Sequence, residues 1–571
     1  MIVPLLLAAI PSIVPWPRSV QLGVGSFQWP AHPKIAASPI AQRAARSLVS
    51  YLRTDGVTAR IVDVTERSDI SLYAPRDTMR RFGTEGYRLF VTRHGIEIAA
   101  NGAPGFFYGV QTLEQLSRNS TGGLDTQAAT VGDWPAYRWR GVHLDAARHF
   151  FDVRTVERYV DVAARYKLNV FHWHLTDDQA WRLPVPAYPA LTARGYSYSE
   201  SQIREVVAYA AKRYVMVLPE VEMPAHSSAA MAAYPQFGCG RNDVFCATAR
   251  TFGFLQAALN QVFRLFPAPD VHAGGDEVPA GYDEAEFVSH IEGYVRAHHR
   301  RMVGWNEILS SRLSTNAIVM AWNSMRRVAE AARRGNDAVV TGWPLYFDAA
   351  QGDAAQEPRA SQHMSTLAEV YSWDVMPLGL SALQQSHVLG GEAALWTERI
   401  RTPQHLFYML LPRELALAEI LWTPRASKSW TRFLQRLPAQ FAWLDSRGYA
   451  FRIPNAAIDL AGGPVVFTAI PGQVQSVDAW TSAARVRIVL TTPIGGSIRY
   501  TLDGKTPAQN SAAFVKPLSL SLSRSVVVVV RAAAFFRGRS GATTECRIHR
   551  VGEAALPRFG TARSFSALVS P

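Results

Sequence analysis

The stretch VHAGGDEVPA, residues 271–280, sets Asp276 and Glu277 side by side behind two glycines at the end of a short apolar run. Two carboxyl groups are the minimum equipment for glycoside cleavage, one to protonate the leaving oxygen and one to act at the anomeric centre. Neighbouring side chains of an extended strand point to opposite faces, so this pair shares a pocket only if the backbone turns, which Gly274 and Gly275 permit. Gly-Gly-Asp-Glu is also ordinary turn chemistry, and the pair alone assigns no function.

The elements that must carry the pair are legible in the rhythm of the chain. From about residue 137 to 425, strand-length apolar runs alternate with amphipathic segments: GVHLD, NVFHWHL, YVMVLPE, DVHAGG, MVGWN, IVMAW, AVVTGW and VLGGEAALW. Eight repeats of strand then helix predict an α/β fold, a (β/α)8 TIM barrel, whose usual size is about 250 residues with additions. Before it, YRLFVTRHGIEIAA and YGVQTLEQLSR predict a small α+β domain over 16–133. After it, RVRIVLTTP, SIRYTLDG and SVVVVVRAAAFF predict a small β-sandwich over 473–552. The catalytic barrel is thus expected over 134–452, a linker over 453–472 and a tail over 553–571, with 1–15 set apart as a candidate signal peptide or its remnant.

Active sites of such barrels are assembled just after the C-terminal ends of the strands, and the chemically active residues collect there. Arg148 follows the first predicted strand. His172, His174, Asp177 and Asp178 lie in HWHLTDDQAWR at the second, Glu222 and His226 follow the third, and Asp276 and Glu277 the fourth. Trp305 and Trp322 end the fifth and sixth; Trp343, Tyr346 and Asp348 follow the seventh, and Trp396 and Glu398 the eighth. A single tryptophan at a strand end is ordinary core packing, but several at one barrel face make an aromatic lining. With acids and an arginine, that lining suits a neutral, hydroxyl-rich ligand, a carbohydrate.

The motifs RGVHLDAARHFF, KLNVFHWHLTDDQAWR, VLPEVEMPAH, HAGGDEV, GWNEIL, YFD, GGEAALWTE and LPRELALAEILW, in this order, resemble those of family-20 glycoside hydrolases, the β-N-acetylhexosaminidases and chitobiases. The preceding domain is similar to the small α+β domain common in that family. SIRYTLDGKTPAQNSAAFVKPLSLS looks like the C-terminal sandwich of many bacterial members. The resemblance implies exo-acting removal of terminal N-acetylhexosamine with retention, the substrate's own acetamido oxygen attacking through an oxazolinium-type intermediate. It implies Glu277 as general acid and base, Asp276 as the carboxylate that orients the acetamido N–H, and Tyr346 as the hydroxyl that holds the acetamido carbonyl. It implies Trp305, Trp322 and Trp396 as walls of the acetamido pocket, Trp343 as a further substrate contact, and Arg148, Asp348 and Glu398 as partners of the ring hydroxyls. His174, Asp177, Asp178 and His226 are candidates for a network backing Glu277. No cofactor and no metal is implied. Glu222 and Ala225 stand where the family usually has aspartate and glycine, so a rearranged backing network is expected.

Composition bounds the remaining possibilities. With 571 residues, 48% hydrophobic and 18% charged, the chain reads as a soluble globular protein of several domains. The formal charge of +13 comes from arginines scattered through every segment without a basic run, so no nucleic-acid partner is expected. No segment offers about 18 consecutive apolar residues, so no membrane span is expected. The opening MIVPLLLAAIPSIVPWP has the length of a signal peptide, though it lacks a basic start and is interrupted by proline. A periplasmic or secreted protein is the expectation, and a bridge between Cys239 and Cys246 fits it, leaving Cys546 unpaired. Two other classes compete. HWH resembles the His-x-His metal site of amidohydrolases, which needs more ligands and a closing aspartate where this chain has Trp396 and Glu398. A catalytically silent carbohydrate-binding protein would not need the full set of acid, orienting aspartate and tyrosine. The sandwich is expected to be a spacer rather than a sugar-binding module.

Overall fold

A computed structural model of the chain describes residues 10–75, 80–193, 195–238, 240–310, 313–470, 473–557 and 561–562. Eight parallel strands close into a barrel: β1 (Trp139–Asp145), β2 (Val170–His174), β3 (Met216–Glu220), β4 (Asp270–His272), β5 (Arg301–Trp305), β6 (Ile318–Ala321), β7 (Asp337–Val340) and β8 (Val388–Ala393). They neighbour one another in chain order, and β8 pairs with β1 through Gly390–Ala393. Each falls within or overlaps one of the eight predicted runs.

The local reasons are plain in β2. All five residues are buried, as parallel strands covered on both faces require. Phe171 and Trp173 pack outward on Tyr159 and Tyr198, with ring centroids 5.9 and 4.7 Å apart. The alternate residues His172 and His174 therefore face the barrel interior. The next helix, Val153–Arg165 on the preceding connection, starts where Asp152 accepts a hydrogen bond from the Thr155 N–H at 2.8 Å. Its buried Val156, Tyr159, Val160 and Ala163 recur at helical spacing and lay one face on the strands.

The alternation of strand and helix is incomplete. Between β5 and β6 the described residues hold a five-residue 3-10 helix, Asn306–Ser310, in place of an α-helix. The intervening segment is close to the shortest that a crossover allows. Between β7 and β8 the helices among the described residues are the short Leu367–Ser372 and Ala382–Ser386, preceded by the paired strands Ala349–Ala350 and Ser361–Met364.

The first domain is a mixed sheet in the order Ser19–Gln28, Gly123–Asp133, Tyr87–Thr92, Gly95–Ala100, Ile70–Tyr73, Lys34–Ala37, Arg60–Val62, flanked by helices Gln42–Thr54 and Ala103–Leu116. Fully buried Asp133 ties it to the barrel, accepting hydrogen bonds from Tyr87 Oη (2.8 Å), Lys167 Nζ (3.1 Å) and Trp422 Nε1 (2.9 Å). The boundary expected at residue 15 lies too late. Ile13 and Val14 are fully buried, and the Val14 N–H donates to Gln115 Oε1 at 2.8 Å, so these residues belong to the folded domain. Residues 1–9 lie outside the described residues.

The sandwich also starts earlier than expected. Ala457–Ala461 and Val465–Ile470, assigned from sequence to a linker over 453–472, are strands of its two sheets; the first pairs with Arg485–Thr491 and the second with Gln473–Thr481. The alternating burial of Ala457–Ala461 is that of a half-covered strand. Thr561 and Ala562, in the expected tail, pair with Thr468 and Phe467. The sandwich has its own core around Ile458, Phe467, Ile488, Val530 and Ile548. Its large exposed apolar side chains among the described residues are Leu502, Val515, Val526 and Val527, none of them aromatic. Cys546 is a buried free thiol in that domain. Cys246 is disulfide-bonded, while its expected partner Cys239 lies outside the described residues. Among the described residues no helix is long and apolar enough to cross a membrane.

Candidate active site

The turn expected after β4 is present. Gly274 and Gly275 take φ of +63° and +100°, the left-handed region that glycine enters without a Cβ penalty, and Glu277 follows with φ +49°. The turn sends the adjacent acids into different surroundings. The Asp276 side chain is 16% exposed and its Oδ1 has no hydrogen-bond partner, whereas Glu277 is 61% exposed. His226 faces both: its Nε2 lies 3.2 Å from Glu277 Oε2 and 3.8 Å from Asp276 Oδ2. The shorter contact is an ion pair without the alignment of a hydrogen bond.

Glu222 explains the first glycine. Its Oε1 accepts the Gly275 N–H at 3.2 Å, and a Cβ at Gly274 would collide with that same oxygen. Burial, then the charges of Asp276, Glu220 and Asp177, push the Glu222 carboxyl well above its ordinary range, which favours its protonated form. Burial also raises Asp276, to about 6, against the opposing pull of His226 and a hydrogen bond from Glu222. Glu222, the glutamate at this position, thus lies against both the Gly274–Gly275 turn and Asp276.

A second chain of contacts backs Glu277. His226 Nδ1 lies 3.3 Å from Asp178 Oδ2, and Asp178 Oδ1 accepts the Ser228 N–H at 3.0 Å. Burial disfavours a charged His226, but Asp178, Asp276 and Asp177 outweigh it and raise the ring to about 9. Asp177 joins two further groups, with Oδ2 3.0 Å from His174 Nε2 and 2.8 Å from Arg148 Nη2. Arg148 also lies 3.4 Å from Asp145, 4.0 Å from Glu398 and 5.0 Å over the Trp396 ring. His174, Asp177, Asp178 and His226 are therefore contiguous with Arg148 and the two acids.

The aromatic wall divides. Trp305, Trp322 and Trp396 share one apolar cluster inside the barrel, with the Trp305 and Trp396 rings 5.9 Å apart. The Trp322 indole donates to Glu307 at 3.1 Å. Trp343 stands apart, 46% exposed, its indole N–H donating to the Met364 carbonyl at 2.9 Å. The Tyr346 hydroxyl donates to the Trp322 carbonyl at 2.6 Å. Burial pushes that phenol up, followed by the charges of Asp348 and Glu307, so it stays protonated. Asp348 has a buried Oδ1 without a partner, and burial raises its carboxyl to about 6. Glu398 sits half-exposed at the rim.

Beneath these residues is a charged layer that the strand patterns conceal. Glu220, fully buried, lies 2.8 Å from His272 Nδ1 and 3.2 Å from His172 Nε2, contacts His174 Nδ1, and is 3.8 Å from His143 Nε2. Burial opposes its charge, but His272, His174 and His172 hold it well below the usual range. Glu392 pairs with His172 Nδ1 at 2.7 Å. Against burial, Glu392 and Glu220 raise His172 to about 9, and Glu220 and Asp177 raise His174 to about 10. His143, Glu220, His272, Asp145 and Glu392 were not singled out from sequence. Their signal is one polar residue, or in β1 an alternate pair, in an otherwise apolar run. Among the described residues, three groups bring donor atoms close enough to hold a metal ion: His143, His172 and Glu220; His174, Glu220 and Glu222; and Asp177, Asp178 and His226. In the first two, Glu220 already pairs with His172 and His174. After β8, where the amidohydrolase reading called for a closing aspartate, stand Trp396 and Glu398.

Residues 137–425 match the model of the glycosyl hydrolase family 20 catalytic domain, and 10–134 that of family 20 domain 2. The chain belongs to glycosyl hydrolase family 20. Residues 478–545 match the chitobiase/beta-hexosaminidase C-terminal domain. The family-20 chain is 32% identical to a beta-hexosaminidase of Porphyromonas gingivalis, over 89% of this chain and 71% of that protein. It is 34% identical to a beta-N-acetylhexosaminidase of Cellulomonas fimi, over 64% and 80%. Among solved structures, it resembles the exo beta-N-acetylglucosaminidase of Vibrio harveyi in complex with N-acetylglucosamine, with TM-score 0.72, 27% identity and 78% coverage of each chain. It also resembles the N-acetyl-beta-hexosaminidase of Streptomyces plicatus, with TM-score 0.73, 29% identity, and coverage of 77% of this chain and 96% of that one.

The glycine–glutamate contact of this family-20 barrel is testable without substrate. Gly274→Ala adds a Cβ against Glu222 and strains a left-handed backbone, which alone costs about 1–2 kcal/mol, so its thermal midpoint falls. Adding Glu222→Ala removes the collision but leaves the strain, so the double variant recovers part of the loss. Strictly additive midpoints would contradict the contact.

Proposed function

We propose that the protein is an exo-acting β-N-acetylhexosaminidase, a glycoside hydrolase that removes terminal non-reducing N-acetyl-D-hexosamine by a retaining, substrate-assisted route. The observation that carries this reading is the division of the adjacent acids: Asp276 buried with an unfilled acceptor, Glu277 exposed against His226. The names of its relatives support the same activity. N-acetylhexosamine-ended glycoconjugates and chitooligosaccharides form the substrate class. The protein works in the periplasm or outside the cell, a reading supported by the disulfide at Cys246.

In the first step Glu277 gives its proton to the glycosidic oxygen while the acetamido carbonyl oxygen closes on C1 and the C1–O bond breaks. Asp276 accepts the acetamido N–H and offsets the positive charge of the oxazolinium ion, a contact that strengthens as charge develops. Trp305, Trp322 and Trp396 enclose the acetamido methyl. The Tyr346 hydroxyl turns from the Trp322 carbonyl to the acetamido carbonyl. Arg148, Asp348 and Glu398 hold the ring hydroxyls, and Trp343, at the rim, meets the leaving sugar. In the second step Glu277, now a carboxylate, takes a proton from the water that opens the ring at C1. His226, charged below pH about 9, stands 3.2 Å from Glu277 Oε2, with Asp178 balancing its charge.

On this mechanism Glu277→Gln greatly slows substrates with poor leaving groups but spares the glycosylation step for an activated aryl glycoside. Asp276→Asn slows every substrate, by about 10²–10³-fold. Equal leaving-group dependence in the two variants, read from kcat/KM over a series of aryl N-acetyl-β-glucosaminides, would contradict the division of labour. Asp276 is raised to about 6 and must be ionised, so kcat/KM declines as pH falls through about 6. That acid limb persists in Glu222→Gln, which keeps a neutral donor, and moves to higher pH in Glu222→Leu, which removes it. A limb displaced equally by both substitutions would exclude the neutral-donor role of Glu222.

A further inference from the structure

A cleft of about 850 Å³ opens on the side of the barrel away from the catalytic residues. Its walls are the helices Gln42–Thr54 and Ala103–Leu116 of the first domain, the helix Val153–Arg165, the residues after helix Glu200–Ala211, and the end of helix Trp430–Ser446. Arg165 leads into the start of β2 and Lys212 into the start of β3, so the cleft lies toward the N-terminal ends of the strands. The catalytic residues stand at the other end. Seven cationic side chains line the cleft against two carboxylates, Glu114 and Asp161.

Both carboxylates are taken. Asp161 pairs with Arg213 at 2.6 Å and Glu114 with Arg165 at 3.6 Å. Among the described residues the other five cations make no ion pair. Three of them are fixed by neutral acceptors: Arg43 donates to the Ala211 carbonyl (2.7 Å), Arg158 to those of Arg447 and Gly448 (3.2 and 3.1 Å), and Arg447 to Thr54 Oγ1 (2.9 Å). Such bonds orient a guanidinium without neutralising it. Arg46 and Lys212 are exposed. The decisive observation is Arg165, whose side chain is only 6% exposed and whose Nε is buried with no hydrogen-bond partner. A buried cationic donor left unfilled is costly unless something occupies it.

We propose that this cleft binds an acidic glycan, a chain bearing sulfate or carboxylate groups, at a site separate from the catalytic pocket. The cations come from the first domain, the barrel wall and the last helix, so only a ligand carrying several anions meets them together. The Trp443 ring has Arg165 3.8 Å over it and Tyr449 stacked 5.8 Å away, so it is not a platform for a nucleic-acid base. The catalytic face sets the carboxyl groups of Asp177, Asp178, Asp276 and Glu277 around Arg148 and His226 and so lacks the cleft's excess of cations. The choice of a glycan rests on the activity proposed above; binding and hydrolysis are read separately, so either reading can fail alone.

The test is calorimetric titration of the full chain with a heparin-derived hexasaccharide at about 0.15 M salt. The expected result is saturable binding, weakened about fivefold to tenfold in Arg46→Ser/Lys212→Ser. Hydrolysis of an aryl N-acetyl-β-glucosaminide stays unchanged in that variant, because neither residue is near the catalytic end. The control Arg326→Ser/Arg333→Ser, on the exposed helix Met325–Arg334, keeps full hexasaccharide affinity. Absence of binding, or equal weakening in the control, would overturn the proposal. Full competition by inorganic sulfate at matched concentration would reduce the cleft to a small-anion site, and tighter binding of a DNA duplex of equal charge would assign it to another class of ligand; either outcome overturns it.

Discussion

One steric constraint organises the catalytic end of the barrel: the Glu222 carboxyl fills the space over Gly274, where no side chain can stand. With that space filled, the turn after β4 must hold glycine and the chain must pass through the left-handed region. The turn places consecutive carboxyl groups in opposite settings, one buried and one exposed. Two acids that look equivalent in sequence thereby acquire different chemistry. Burial and its acidic neighbours favour the protonated form of Glu222, which lies against Asp276 without adding a second charge when protonated.

The same logic extends downward. A barrel interior is ordinarily filled by branched apolar residues, yet here its upper layers hold Glu220, Glu392 and four histidines with no exposure to solvent. Isolated charges in that setting would be prohibitive. They persist as pairs, Glu220 with His174 and Glu392 with His172. Asp177 then links His174 to Arg148 and, through the neighbouring Asp178, to His226. The groups that meet substrate are held by partners that are themselves paired, so the geometry is preorganised before a sugar arrives.

The barrel was legible because long buried parallel runs and their spacing carry a strong signal, and residues at the strand ends followed from the fold. What escaped detection did so for physical reasons. Glu220, His143 and His272 sit inside apolar runs, where one polar residue reads as an exception until the layer above is seen. The strands Ala457–Ala461 and Val465–Ile470 are short, weakly patterned and close to a proline-containing link. Trp343 shares its residue type with the pocket tryptophans, but its indole is pinned outward by Met364. The basic cleft was invisible because its cations range from Arg43 to Arg447, with no basic run to betray them.

The central claim is that the substrate supplies its own nucleophile while Asp276 remains a carboxylate beside it. Intact-protein mass spectrometry of the enzyme quenched during turnover tests this most directly. The account predicts the unmodified mass throughout, with no sugar ester on any carboxylate. A covalent N-acetylhexosamine adduct mapped to Asp276 would contradict it and assign the aspartate as the nucleophile of an ordinary double displacement.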